Sequence, residues 1–403
     1  MRPIYQLGCR AYQLVFRAAL PILPYRQPKL LGKLDDVIPV LKGRQISRVL
    51  LTADAGVRAL GLLRSFEQAL KRAGIRFSVY EQHTPNPTID DVESARSVYI
   101  NTGAQAIIAV GGGSAIDCAK VVGARIARPR KPVQAMRGLL HVLRRTPLLI
   151  AVPTTAGTGS ETTLAAVITD KSTKQKYPIN DFALIPDYAV LDASLTLGLP
   201  AALTASTGMD ALTHAIEAYI GRSTNRYTRA MAEEAVSLIA LHLRTAYEDG
   251  GNIQARRGML HAAYCAGIAF TRSYVGYVHG VAHSLGGQYG IAHGLANAVI
   301  LPLFLREYGD SAAPRLAALA RKAGIAEESA PDCEAAEAFI LWIEAMNRHF
   351  GHPSSFPQIR REDIPRMARC AARESNPLYP VPRLMDRREL ESIYLKLMPV
   401  EET

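Results

Sequence analysis

The chain has 403 residues, 48% of them apolar and 21% charged, a length that points to two domains and a composition that excludes disorder. The net charge of +11 sits in two segments: residues 1–34 hold six Lys and Arg with no acid, residues 125–145 hold seven with none, and elsewhere 34 basic residues face 36 acidic ones. A fold basic throughout is thereby excluded and no nucleic-acid partner is expected; the two segments read as solvated surface or as patches for anionic lipid, a partner or a phosphorylated ligand.

In chain order, residues 1–26 come first, a basic extension with Arg2, Arg10 and Arg17 around the apolar stretch 11–23. Arg17 interrupts that stretch, Pro21 and Pro24 follow it, and no small-residue cleavage site appears, so it does not read as a signal peptide. Such a basic, partly amphipathic arm could make weak contact with a membrane surface or a neighbouring subunit. No other apolar run approaches the roughly 18 residues of a membrane span. Five scattered cysteines (Cys9, Cys118, Cys265, Cys333, Cys370), with no Cys-x-x-Cys spacing, fit a reducing cytoplasm.

From Ser47 the pattern alternates. ISRVLLTAD reads as a buried strand, VRALGLLRSFEQALKRAG as one helix closed by Gly74, and IRFSVYEQ as the next strand. A helix in DDVESARSVYINTG, the strand AQAIIAVGGGS, the helix IDCAKVVGARI and the strand PLLIAVPTT continue it, predicting an α/β domain with a parallel sheet. Past Pro200 strand signals fade and amphipathic segments take over: LTASTGMDALTHAIEAYI, YTRAMAEEAVSLIALHLRTAYED, ARRGMLHAAYCAGIAF and LANAVILPLFLREYG. The expected architecture is an α/β dinucleotide-binding domain over residues 1–199 and an all-α, metal-binding catalytic domain over residues 200–403.

Two loops carry the cofactor chemistry. Gly111-Gly112-Gly113-Ser114 follows a strand and opens a helix, so backbone without side chains can approach a diphosphate beside unpaired helical N–H groups. Three adjacent glycines are also what a tight turn needs. The second loop, Pro153 to Glu161, concentrates hydroxyls and glycines after another strand, where open α/β sheets bind ligands.

In the helical half, Asp210 and His214 are four apart and share one helix face. HGVAHSLGGQYGIAHG adds His279, His283 and His293, with Gly286-Gly287 expected to break the chain so that His293 folds back. One carboxylate and three imidazoles suit a divalent first-row ion, and cysteine ligands are absent from the set. His83, His141 and His261 read as surface or core residues.

These segments resemble the iron-containing, metal-dependent alcohol dehydrogenase family, which shares its architecture with glycerol dehydrogenases and dehydroquinate synthases. The resemblance runs in order over residues 27–400: GGGSAIDCAK, PTTAGTGSE, TGMDALTHAIEAY, HGVAHSLGGQYGIAHG, LANAVILP, then FGHPSSF and Glu374-Ser375-Asn376-Pro377. It implies metal ligation by Asp210, His214, His279 and His293, with His283 close to the metal as a proton-transferring or ligand-orienting residue. It implies that Asp54, Asn86, Gly111, Gly112, Gly113, Ser114, Asp117, Thr154, Thr155, Thr158, Thr163 and Lys176 line the dinucleotide. The extension 1–26 and the basic segment 125–145 depart from it.

The expected reaction is hydride transfer between a primary or secondary alcohol, or its aldehyde or ketone, and NAD, with NADP as the alternative and iron(II) or zinc as the metal. Asp54, at the end of the strand LLTAD, favours NAD, because an acid there accepts from ribose hydroxyls and repels a 2′-phosphate; a helix N-cap is its other role. The rival classes are an NAD- and metal-dependent lyase of the dehydroquinate synthase type and a binder of anions or membrane surfaces. A cytoplasmic homo-oligomer, a dimer, is expected.

Overall fold

Apolar runs become strands here because both of their faces are covered. Along residues 106–111, Ile107 and Ala109 enter one apolar cluster while Ala106, Ile108 and Val110 enter another. Residues 148–153 divide in the same way, with Leu149 and Ala151 on one side and Leu148, Ile150 and Val152 on the other. A period of two with both faces apolar is the mark of a parallel sheet under two helical layers.

The computed structural model describes residues 3–84, 86–172 and 175–399. Their strands are β1 (Lys29–Leu31), β2 (Arg48–Ala53), β3 (Arg76–Tyr80), β4 (Ala106–Gly111), β5 (Gly138–Leu139), β6 (Leu148–Pro153), β7 (Ala165–Asp170), β8 (Gln175–Asn180) and β9 (Tyr188–Val190). Six form a parallel sheet in the order β1-β9-β6-β4-β2-β3, and β5-β8-β7 form a small separate sheet. The helices α1 (Pro3–Ala19), α2 (Val37–Gly43), α3 (Ala55–Ala59), α4 (Arg64–Arg72), α5 (Ile89–Asn101) and α6 (Gly113–Ala127) precede or intersperse these strands. From β2 the chain steps to β3 on one side and to β4 on the other. The carboxyl ends of β2 and β4 therefore flank a switch point, where such sheets hold ligands.

Beyond Pro200 the regular structure is helical: α7 (Ala201–Ile220), α8 (Arg226–Glu248), α9 (Ile253–Ser273), α10 (Tyr277–Tyr289), α11 (His293–Tyr308), α12 (Ala313–Lys322), α13 (Asp332–His349), α14 (Ile364–Ser375) and α15 (Arg387–Lys396). None of the described helices is long and apolar enough to cross a membrane.

Two expectations need correction, and two features lie beyond the sequence pattern. The helix expected over residues 57–74 is two, α3 and α4, because Gly61 adopts a left-handed conformation (φ +68°) between them. The stretch 164–199, where the sequence shows no clear alternation, contains β7, β8 and β9. Two compact units are seen, residues 24–199 with 250–267, and residues 1–23 with 200–249 and 268–403. The N-terminal arm joins the helical unit because Arg10 donates to the Val381 and Pro382 carbonyls (2.8 and 2.9 Å) and Gln13 to those of Pro377 and Tyr379 (3.1 and 2.8 Å). Arg2 lies outside the described residues. Finally, α10 runs straight through Gly286 and Gly287 and stops at Gly290, whose φ of +69° turns the chain toward His293. In the basic segment 125–145, Arg125, Arg128 and Lys131 donate to nearby backbone carbonyls, so much of that charge holds a loop together.

Candidate metal centre and dinucleotide-binding turn

Three helices of the helical unit build the acid–histidine cluster. Asp210, His214 and Glu217 lie on one face of α7, at spacings of four and three; α10 contributes His279 and His283, and α11 begins at His293 with Asn297 one turn on. Asp210, His279 and His293 present ligand atoms within 4.8 Å of one another. Asn297 Nδ2 lies 2.7 Å from Asp210 Oδ1 and 3.2 Å from each of His279 Nε2 and His293 Nε2. A carboxylate oxygen and two imidazole lone pairs thus converge on one spot, a donor set that fits a divalent cation. His214 stands at the edge of this group: its Nδ1 lies 4.0 Å from Asp210 Oδ1, its ring is 4.4 Å from that of His279, and it stacks on Phe270 at 4.1 Å.

Behind His279 is a carboxylate that sequence reasoning missed. Glu217 is buried and accepts from Gly276 N (2.8 Å), Val278 N (2.9 Å) and His279 Nδ1 (2.6 Å). Engaging Nδ1 commits Nε2 to the cluster, the usual way a carboxylate orients a ligating imidazole. Burial pushes the Glu217 carboxyl up to about 8 despite those donors. Burial, and then the neighbouring His214, His293 and His283, push His279 well below its ordinary value and favour the neutral, lone-pair-bearing ring. Gly276 makes the contact possible, since a Cβ there would lie 2.5 Å from Glu217 Oε1. The signal was present in THAIEAY, where Glu217 follows His214 by three.

His283 is exposed and its ring stacks 5.1 Å from that of His293. Its Nδ1 is 2.5 Å from Glu374 Oε1, which also accepts from the Tyr379 hydroxyl at 2.7 Å. Burial would raise the Glu374 carboxyl, but the His283 charge and these hydrogen bonds hold it below its usual range.

In the α/β unit the expected turn forms where β4 meets α6. Asp54, directly after β2, accepts from Gly112 N at 2.6 Å and pairs with His83 Nε2 at 2.7 Å; it makes no side-chain cap to α3. Gly111 and Gly113 are required by space, since a Cβ would lie 2.3 Å from Asp54 Oδ2 or 2.8 Å from the Thr158 side chain. The register Gly111↔Pro153 and the bond from Thr154 N to Gly111 O (3.0 Å) set the β6 loop beside the turn, with Thr155 facing Gly112. Ser114 lies in the first turn of α6, whose N-terminus is a place for a diphosphate.

Other expected lining residues serve the loops first. Asp117 accepts from Ser160 Oγ (2.6 Å) and Val167 N (2.9 Å), and Thr163 Oγ1 accepts from Lys120 Nζ (2.8 Å). Asn86 and Lys176 meet each other, Nζ to Oδ1, at 3.0 Å. Lys120, unassigned by the sequence reading, is fully buried and also donates to Ser160 Oγ and to the carbonyls of Thr163 and Ala165. It follows Asp117 by three on α6, so both point at the same loop.

Residues 29–193 match the family model described as iron-containing alcohol dehydrogenase, and residues 204–398 match the C-terminal model of the same family. The chain is 36% identical to 1,3-propanediol dehydrogenase of Klebsiella pneumoniae over 94% of its own length and 98% of the relative's. It is 34% identical to the NAD-dependent methanol dehydrogenase of Bacillus methanolicus, over 86% and 92%. Among solved structures, a 1,3-propanediol oxidoreductase superposes with a TM-score of 0.88 at 34% identity, covering 93% of this chain and 99% of that one. Sulfoacetaldehyde reductase from Bifidobacterium kashiwanohense, solved with NAD+, gives a TM-score of 0.80 at 25% identity, covering 93% and 98%. The chain therefore belongs to the iron-containing alcohol dehydrogenase family and is a metal-dependent, NAD-linked oxidoreductase acting between alcohols and aldehydes.

Proposed function

We propose that this enzyme interconverts a small primary or secondary alcohol and its carbonyl compound, with the metal held by Asp210, His214, His279 and His293. The convergence of Asp210, His279 and His293 on one spot, with Glu217 behind His279, is the observation that carries this reading. Small substrates are proposed because similar proteins are named for 1,3-propanediol, methanol and lactaldehyde. A divalent ion bound there supplies Lewis acidity toward the substrate oxygen, and NAD supplies the hydride acceptor.

The chain's own residues hold and orient. Asp210 brings negative charge to a donor set otherwise neutral, and Glu217 keeps His279 in the tautomer whose Nε2 faces the cluster. His214, four residues from Asp210 on the same helix face and with its Nδ1 4.0 Å from Asp210 Oδ1, is the fourth residue of the proposed set. His283, exposed and backed by Glu374, is placed to pass the alcohol proton to solvent. In the α/β unit, the Gly111–Ser114 turn and the Thr154–Thr158 loop receive the diphosphate, the bonded pair Asn86 and Lys176 contributes to the same cofactor site, and Asp117 and Thr163 brace the loop with Lys120. Asp54 faces the ribose, and Arg58, four residues on and a candidate for a 2′-phosphate, is already paired with Glu67 and Glu81.

Assembly as a homodimer in a reducing cytoplasm belongs to the same proposal. It is supported by the open edge of the parallel sheet at β1, where Leu30 is 46% exposed, and by five free cysteines. The test is formation of NADH from a panel of small alcohols by metal-loaded protein. Absence of any NAD-linked oxidation or reduction across the panel would refute the reading.

A further inference from the structure

We propose that α1 seats this protein on an anionic phospholipid surface. The helix turns its polar and small side chains inward: Cys9 and Gln13 are buried, Arg10 and Gln13 donate to backbone carbonyls of residues 377–382, and Phe16 meets Tyr274 edge-on at 4.9 Å. Its opposite side is aliphatic and open. Ile4 is 87% exposed, Leu7 72%, Leu14 66% and Val15 70%, and Ile22 just beyond the helix is 84% exposed. At 3.6 residues per turn these positions, with Gly8, Ala11 and Ala18, form one unbroken stripe, whereas a helix serving only its own core buries its apolar face.

The surroundings say what covers the stripe. Tyr5 and Tyr12, half exposed, border one side and Arg17 the other. Tyrosines beside an aliphatic band are suited to the level of lipid headgroups. Arg17 belongs to a basic group: Arg315 is close enough to feel the charges of Arg229, Arg17 and Arg222, and Arg10 that of Arg222. Among the described residues, no carboxylate lies within ion-pair distance of any of these five, and residues 1–34 contain no acid. Two copies pairing through this helix would set like charges against each other, whereas an anionic headgroup layer neutralises them. With no described helix able to span a bilayer, the contact is peripheral, α1 lying in the interface plane. The helix also precedes residue 29, where the match to the family model begins.

Sedimentation of the full-length protein with vesicles tests this. Phosphatidylcholine vesicles containing about one third phosphatidylglycerol should retain it, pure phosphatidylcholine should retain it far less, and about 1 M salt should release it. Leu7→Glu/Val15→Glu should weaken retention about a hundredfold while alcohol oxidation stays at the parent rate, which certifies the fold. Arg17→Glu/Arg229→Glu, leaving the stripe intact, should abolish the preference for anionic over neutral vesicles. Equal retention by both vesicle types overturns the proposal, as does undiminished retention of the Leu7→Glu/Val15→Glu protein. Self-association that this variant abolishes, without vesicle binding by the parent, also overturns it and assigns the stripe to a second copy.

Discussion

Replacing Glu217 with Gln separates metal binding from folding. The carboxylate serves three donors, Gly276 N, Val278 N and His279 Nδ1, and a carboxamide of the same shape offers one acceptor oxygen in place of two. Whatever its orientation, at least one donor meets an NH2 group, a loss of about 1–3 kcal/mol. The same change removes a buried group whose ionisation burial opposes, raising its carboxyl to about 8, so part of that loss is offset. Melting of the metal-free protein should therefore shift little. The imidazole is another matter, because His279 without its anchor can rotate or adopt the other tautomer. An orienting partner of this kind is worth about 10- to 100-fold in metal affinity. The assay is titration of metal-free protein with a buffered divalent ion, alongside thermal melts in chelator. Gly276→Ala should reproduce the loss, since its Cβ would displace Glu217 Oε1. Parent-like affinity in Glu217→Gln would show that the carboxylate does not orient His279.

Three further outcomes follow from the geometry. His283→Ala should retain its metal while turnover falls about 10²- to 10⁴-fold, and equal loss of metal and rate would make His283 a ligand. The parent enzyme should prefer NAD to NADP, and Asp54→Gly should narrow the ratio of kcat/KM values about tenfold, although losing the Gly112 contact weakens both cofactors; an unmoved ratio contradicts the assignment. Glu161 is buried with Oε1 unpaired, and burial raises its carboxyl from 4.5 to about 7. Its protonated form favours the folded chain, so this contribution is complete below pH 4.5 and is lost as pH rises to about 7. Relative to Glu161→Gln, the parent should lose about 3 kcal/mol of stability across that window, read as diverging melting curves; parallel curves refute it.

How far the molecule is legible in its sequence depends on the range of the interactions involved. β2, β4, β6 and the long helices after Pro200 are written in local periodicity, because each buries a continuous apolar run or stripe. β7 to β9 are not: Lys176, Pro178 and the short Tyr188–Val190 run give no alternation, and these strands exist through their partners. Asp210, His279 and His293 could be anticipated because their chemistry is unusual at such spacing. Glu217, Asn297 and Lys120 carry equal weight in the structure, yet each resembles an ordinary helical residue until its partner is in place. Gly290 illustrates a third limit, since three glycines compete to end α10 and only tertiary contacts select one. The orientation of α1 is a fourth: its composition reveals amphipathicity, whereas which face turns inward depends on carbonyls near residue 380.

The central claim is that the cluster of Asp210, His279 and His293 holds the ion on which NAD-linked alcohol oxidation depends. It is tested most directly by adding iron(II) or zinc, without air, to chelator-stripped protein while following both bound metal and NADH. One ion per chain should restore turnover in the parent, while Asp210→Ala and His279→Ala should neither hold the ion nor turn over, yet still bind NAD. Full activity in stripped protein, or stoichiometric metal in either alanine variant, would contradict the account.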